Sequence, residues 1–189
     1  LGRDIVWLMP IYPRGGGINS PYAATDFQQV NPDYGTVIDL KAFVAAAHEL
    51  HMQVWLDWVP NHTATNATWV TTHPEYYKKN GNSFVHPNNY SDVYQLNYGS
   101  AALQKAMNDC LKFWIDEADI DGYRCDYISS SRIPTSYWQT TIPLIKNYKS
   151  GKVITFLGEG DIAQDVSRLK TVGFDYDYAW AYQSSLANY

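Results

Sequence analysis

Short apolar runs alternate with amphipathic stretches along the chain. Ile5-Val6-Trp7-Leu8-Met9, closed by Pro10, reads as a strand buried on both faces. A Gly-rich loop follows from Arg14 to Ser20, and after Asp39, read as an N-cap, Leu40, Phe43, Val44, Ala47 and Leu50 recur at helical spacing. Gln53 to Val59 is the next strand. From Asn61 to Gly99 the chain is polar, rich in Asn and Tyr and only weakly periodic, too long for a plain connection and therefore read as a functional excursion. Ser100 caps a second helix with Leu103, Met107, Cys110, Leu111, Trp114, Ile115 and Ala118 on one stripe. Ile120 to Ile128 reads as a strand and Tyr137, Trp138, Thr141, Ile142, Ile145 and Tyr148 as a helix interrupted by Pro143. Val153 to Leu157 is a further buried strand, Val166 to Leu169 a helix fragment and Phe174 to Trp180 a fifth strand. Repeated strand-helix units predict an α/β fold with a parallel sheet covered by helices.

An open doubly wound sheet and a closed β/α barrel share this pattern. The positions of the acids separate them. Asp57, Asp126 and Glu159 fall at or just beyond the carboxyl ends of predicted strands, which converge on one mouth in a TIM-type barrel and spread along a line in an open sheet. The pattern therefore predicts a parallel β/α barrel. The 189 residues are one domain's worth, and the 7 Trp, 16 Tyr and 6 Phe suit flat, partly apolar ligands such as carbohydrate. A net charge of -5 gives no basic footprint for nucleic acid, and no apolar run reaches the length of a membrane span. Cys110 and Cys125 lie in apolar surroundings and read as small hydrophobes.

Arg124 and Asp126 lie two apart on one strand and so share a face, where the guanidinium is expected to keep the carboxylate ionised, as a nucleophile requires. Glu159, flanked by Gly158 and Gly160, is expected against a little-charged wall that raises its pKa toward that of a general acid. One bare and one protonated carboxyl make a glycosidase pair, and a separation of about 5–5.5 Å implies retention through a covalent glycosyl-enzyme. Singly, each feature has a plainer reading: a structural ion pair for Arg124 with Asp126, a surface charge for Glu159, a hydrogen-bonded loop for Asp57-Trp58-Val59-Pro60-Asn61-His62.

Taken in order, these segments resemble the α-amylase family of glycoside hydrolases over essentially the whole chain. Asp57 to His62 is similar to the family's first signature, Gly122-Tyr123-Arg124-Cys125-Asp126 to its second and Phe156-Leu157-Gly158-Glu159 to its third. Ser20 to Phe27 through Asn31 to Thr36 resembles the segment after the second barrel strand. The resemblance implies that the chain holds barrel strands two to six as one partial catalytic domain over 1-189, with 63-99 as an excursion forming one wall of the cleft. It implies Asp126 as nucleophile, Glu159 as acid/base, Arg124 and Asp57 as the network aiming Asp126, His62 as a hydrogen-bond partner of the sugar at the cleaved subsite and Tyr22 as its stacking platform. The implied substrate is an α-glucan or oligosaccharide such as starch or maltodextrin. Transglycosylation, isomerisation and a catalytically silent carbohydrate-binding barrel are the alternatives.

The chain also departs from the family pattern. Ser129 and Ser130 stand where many members carry a Lys-His pair on the leaving-group side, and Gln95-Leu96-Asn97 replaces an acid before Leu-Asn. Loss of that carboxylate weakens the case for the family's calcium, to which Asn61 is a candidate ligand; no cofactor is expected to be required, and calcium is possible but not predicted. The family's third carboxylate, at the end of the seventh strand, has no counterpart before Tyr189. Five strands fall short of closure, so the chain is expected to belong to a longer protein and to show little turnover alone. Oligomeric state and compartment stay open; sugar polymers are met mostly in extracellular or periplasmic settings.

Overall fold

A computed structural model describes residues 2–15, 17, 20–160 and 171–178. In chain order it contains β1 (Ile5–Leu8), α1 (Val37–Glu49), β2 (Gln53–Trp58), β3 (His62–Ala64), α2 (Thr68–Thr72), β4 (Lys79–Asn80), β5 (Ser83–Phe84), β6 (Val93–Gln95), α3 (Ala101–Ala118), β7 (Gly122–Cys125), α4 (Thr135–Lys146), β8 (Thr155–Gly158) and β9 (Tyr176–Asp177). Five strands form one parallel sheet in the order β1-β2-β7-β8-β9, with α1, α3 and α4 in the crossovers. This is a TIM-type β/α arrangement, of which the described residues hold five consecutive strands. Between β2 and α3 the excursion builds two small antiparallel pairs, β3 with β6 and β4 with β5. The helix-fragment expectation at Val166 to Leu169 lies outside the described residues.

Period-2 alternation divides each strand between two environments. Leu56, Trp58, Tyr123, Cys125 and Phe156 point outward into a core with Met107, Leu111, Trp114 and Ile115 of α3 and Trp138 and Ile142 of α4. All seven apolar stripe positions expected on α3 are buried, and Ser100 caps the helix by accepting from the Leu103 amide at 3.3 Å. Each such large apolar side chain contributes about 1.5–3 kcal/mol relative to exposure. On the other face Trp55 and Tyr176 stack across the lumen, 6.1 Å apart at 29°. Gly122 makes room for them: a Cβ there would lie 2.8 Å from the Trp55 indole and 2.7 Å from the Thr155 carbonyl.

Four local expectations need correction. β1 is not buried on both faces: it is an edge of the described sheet, so Ile5, Trp7 and Met9 remain 41, 38 and 54% exposed. Helix α1 begins earlier than Asp39, because Thr36 accepts from the Asp39 amide (3.2 Å) while Asp39 Oδ2 accepts from the Thr36 amide (2.8 Å), a capping box with Asp39 at its third position. Its buried stripe is narrowed to Leu40, Val44 and Ala47, with Phe43 and Leu50 exposed. The strands expected at 120–128 and 153–157 shrink to Gly122–Cys125 and Thr155–Gly158, since the chain turns after Asp126 with Tyr127 at φ 50° and Val153 faces solvent.

Candidate active site

Register places the acids. β2 and β7 pair Asp57 with Arg124, and β7 and β8 pair Arg124 with Leu157, so Asp57, Arg124, Asp126 and Glu159 gather at the carboxyl ends of three adjacent strands. The sequence expectation that these four residues converge matches this geometry. Arg124, 3% exposed, is the hub. Its Nη1 donates to both Asp57 oxygens at 3.0 Å and to Asp126 Oδ1 at 2.9 Å, its Nη2 pairs with Glu159 Oε2 at 2.8 Å, and its Nε donates to the Tyr178 hydroxyl at 2.9 Å. Burial opposes the guanidinium's charge, but the surrounding carboxylates outweigh it and hold the group protonated.

The surroundings of both acids differ from the sequence expectation. Asp126 is pushed up to about 7, first by burial and then by the charge of Glu159 and a side-chain hydrogen bond to it; Arg124 opposes this without overcoming it. Glu159 does not face a little-charged wall, since it accepts from Arg124 and from the Tyr127 amide at 3.0 Å. Glu159 thus has two donors, one of them cationic, whereas the more buried Asp126 has one. Burial and the neighbouring Glu159 both favour a proton on Asp126. Asp57 is pushed up to about 6 by burial, with Arg124 and the Trp7 indole pulling the other way.

Beside this cluster lies a cavity of about 360 Å³ lined by Ser20, Tyr22, Ala23, His62, Tyr90, Asp92 and Val93. Tyr22 and His62, singled out in the sequence, meet here with residues of the excursion. The Asn61 amide donates to His62 Nδ1 at 3.0 Å, which leaves Nε2 as the protonated nitrogen, and the Tyr22 backbone is its second partner. Burial pushes His62 down to about 4, so the ring is neutral at neutral pH. Asn61 Oδ1 already accepts from the Ser130 hydroxyl at 3.1 Å, and among the described residues no three His, Cys, Asp or Glu side chains gather as a cation would require.

Sequence reasoning missed two participants. Trp7 donates its indole N–H to Asp57 Oδ2 at 3.1 Å, and the Tyr178 hydroxyl receives Arg124 Nε. The alternation of Trp7 with Ile5 and Met9, and of Tyr178 with Tyr176, was the available signal for a shared lumen face.

The fold and this guanidinium-centred carboxylate cluster define a class of β/α barrel with an acidic mouth, and comparison with known proteins agrees. Residues 1–94 match the model of the α-amylase catalytic domain, a stretch that contains Tyr22, Asp57 and His62 and ends before Arg124. The chain is 29% identical over 148 residues to α-amylase 3 of Dictyoglomus thermophilum, covering 67% of this chain and 29% of that protein. It is 30% identical to the trehalose synthase/amylase of Mycobacterium tuberculosis, covering 68% of this chain and 27% of that one. The crystal structure of an α-amylase from Lactobacillus plantarum superposes with a TM-score of 0.85 at 32% identity, covering 98% of this chain and 47% of that one. The chain belongs to the α-amylase family. It spans less than a third of the length of these curated relatives. No helix among the described residues is long and apolar enough to cross a membrane.

Proposed function

We propose that the protein is a retaining glycoside hydrolase acting on α-glucosidic bonds of starch, maltodextrin or related α-glucans. The observation that carries this reading is the meeting of Asp126 and Glu159 on one guanidinium at the mouth of the sheet. Passing the proton of Asp126 along its hydrogen bond to Glu159 produces the working pair in one step. Asp126 becomes a carboxylate oriented by Arg124, and Glu159, once neutral, loses its hold on Arg124 and is available to protonate the glycosidic oxygen. Asp126 then attacks the anomeric carbon as that bond breaks, and Glu159, now the base, activates water to hydrolyse the glycosyl ester. Neutral His62 and the Tyr22 ring provide the polar and stacking sides of the sugar site, with Tyr90 and Asp92 of the 63–99 excursion as its wall. On this reading residues 1–189 are one partial barrel catalytic domain.

The test compares the natural gene product containing these 189 residues with its Asp126→Asn variant on maltoheptaose, and treats both with a 5-fluoro α-glucosyl fluoride that arrests the covalent intermediate. Loss of turnover by about 10⁴-fold and a peptide label at Asp126 in the unsubstituted protein support the assignment. Equal turnover, or a label on another residue, removes it. Relatives that include cyclomaltodextrin glucanotransferases and a trehalose synthase/amylase favour a second reading, in which a sugar hydroxyl replaces water at the intermediate. Product analysis at high acceptor sugar concentration separates transfer from hydrolysis.

A further inference from the structure

We infer that Trp7 and Tyr178 are positioning residues that lock the plane of the Arg124 guanidinium and thereby decide which carboxylate each of its nitrogens serves. Trp7 belongs to β1 and Tyr178 follows β9, the two outermost strands of the described sheet, yet their rings lie 6.1 Å apart at 54°. The sheet curls until its ends meet around Arg124. The guanidinium carbon is 5.0 Å from the Trp7 ring centroid, 5.3 Å from Tyr178 and 5.9 Å from Tyr22. Beneath this layer, the Trp55–Tyr176 stack fills the lumen.

The consequence lies in how donors are shared out. A buried carboxylate facing an arginine prefers a two-pronged fork that occupies both Nη atoms. Asp57 has the position to demand it, with both oxygens 3.0 Å from Nη1. The Trp7 indole supplies Asp57 with a separate donor at 3.1 Å, and the Tyr178 hydroxyl anchors Nε, so that Nη2 turns toward Glu159. Every nitrogen of Arg124 is engaged, Nη1 by Asp57 and Asp126, Nη2 by Glu159 and Nε by Tyr178, and rotation of the plane would break these contacts together. Apart from Trp7, the charged and titratable groups that bear on Asp57 are Arg124, Glu159, Asp126, Cys125, Tyr22, Tyr178 and Tyr12, the last donating to its backbone carbonyl at 2.9 Å. Only the benefit to catalysis rests on the proposed function; the positioning itself does not.

The experiment follows side-chain carboxyl and guanidinium resonances of the natural gene product containing these 189 residues by ¹³C and ¹⁵N NMR from pH 4 to 8, in the unsubstituted protein, Trp7→Phe and Tyr178→Phe. Trp7→Phe keeps a ring over Arg124 but removes the N–H, and is expected to move the Asp57 midpoint upward by about one pH unit. Tyr178→Phe removes a single oxygen and is expected to speed hydrogen exchange of Arg124 Nε–H by about tenfold. Unchanged midpoint and exchange, with at most a lowered Tm, overturn the inference. If Trp7→Phe does not fold, Tyr178→Phe decides alone. Altered resonances in a natural gene product that leaves maltoheptaose intact uphold the positioning role and overturn the hydrolase reading. Turnover with unaltered resonances does the reverse.

Discussion

Arg124 Nη2 sits 2.8 Å from Glu159 Oε2 while Nη1 of the same guanidinium sits 2.9 Å from Asp126 Oδ1. One cation therefore binds both members of the carboxyl pair, and the charge of Glu159 helps to hold a proton on Asp126. The charge distribution this creates is measurable without any substrate.

Asp126 is held above its ordinary 3.8, at about 7, chiefly by burial, so the folded state retains a proton there that the unfolded chain has lost. Its contribution to stability is greatest below pH 4 and declines as pH rises toward 7. Asp126→Asn removes this dependence and is expected to stabilise the protein at pH 8 by on the order of 1–2 kcal/mol, with little effect at pH 4. Urea denaturation at the two pH values measures it, and a uniform loss of stability at both would contradict the assignment.

Removing the cation has the opposite pH signature. Arg124→Met leaves Asp57, 1% exposed, with a charge and no counterion, which is expected to cost about 3–5 kcal/mol at pH 7.5. Near pH 5 Asp57, whose midpoint is about 6 with the arginine in place, carries its own proton and the cost is smaller. A penalty independent of pH would mean that lost packing, rather than the bare carboxylate, dominates.

At the opposite ends of the strands Asp121 accepts from the Val54 amide, His48 Nε2 and Lys152 Nζ, each at 2.8 Å. Burial alone would raise its pKa, but these bonds together hold it below the ordinary carboxylate range. The stabilisation is present above about pH 4 and is lost as pH falls through the depressed midpoint. Asp121→Asn is expected to cost about 1–2 kcal/mol at pH 7 and progressively less as the pH falls below about 4. Thermal melts across that range test the sign, and the activity of the distant site serves as the control.

Gly122→Ala tests the packing of the lumen. The added methyl would meet the Trp55 ring at 2.8 Å and the Thr155 carbonyl at 2.7 Å, so the indole must leave its stack on Tyr176. The expected penalty is about 1–3 kcal/mol with a changed tryptophan emission maximum. A neutral substitution with unaltered emission would show that the strands separate easily at this level.

The sequence was most legible where one rule dominated. The α3 stripe needed only helical periodicity, and Asp57, Arg124, Asp126 and Glu159 were found together because each sits where a parallel strand ends. Protonation was not legible. Adjacency in sequence correctly placed Arg124 beside Asp126, but the net outcome depends on burial and on Glu159, 33 positions away along the chain. Trp7 was hidden for a related reason: an apolar run predicts a buried strand, and only the sheet order shows that one face of β1 lines the lumen at an edge. The start of α1 was missed because Thr36 and Asp39 are both capable caps, and the backbone chose the earlier one.

The turn after β7 is tied to the end of β8 by two bonds, from the Tyr127 amide to the Glu159 carboxylate and from the Ile128 amide, at 3.1 Å, to the Glu159 carbonyl. These two loops are therefore a single inheritable module: lengthening one re-aims the acid carried by the other, so an engineer transplanting either between relatives should move both.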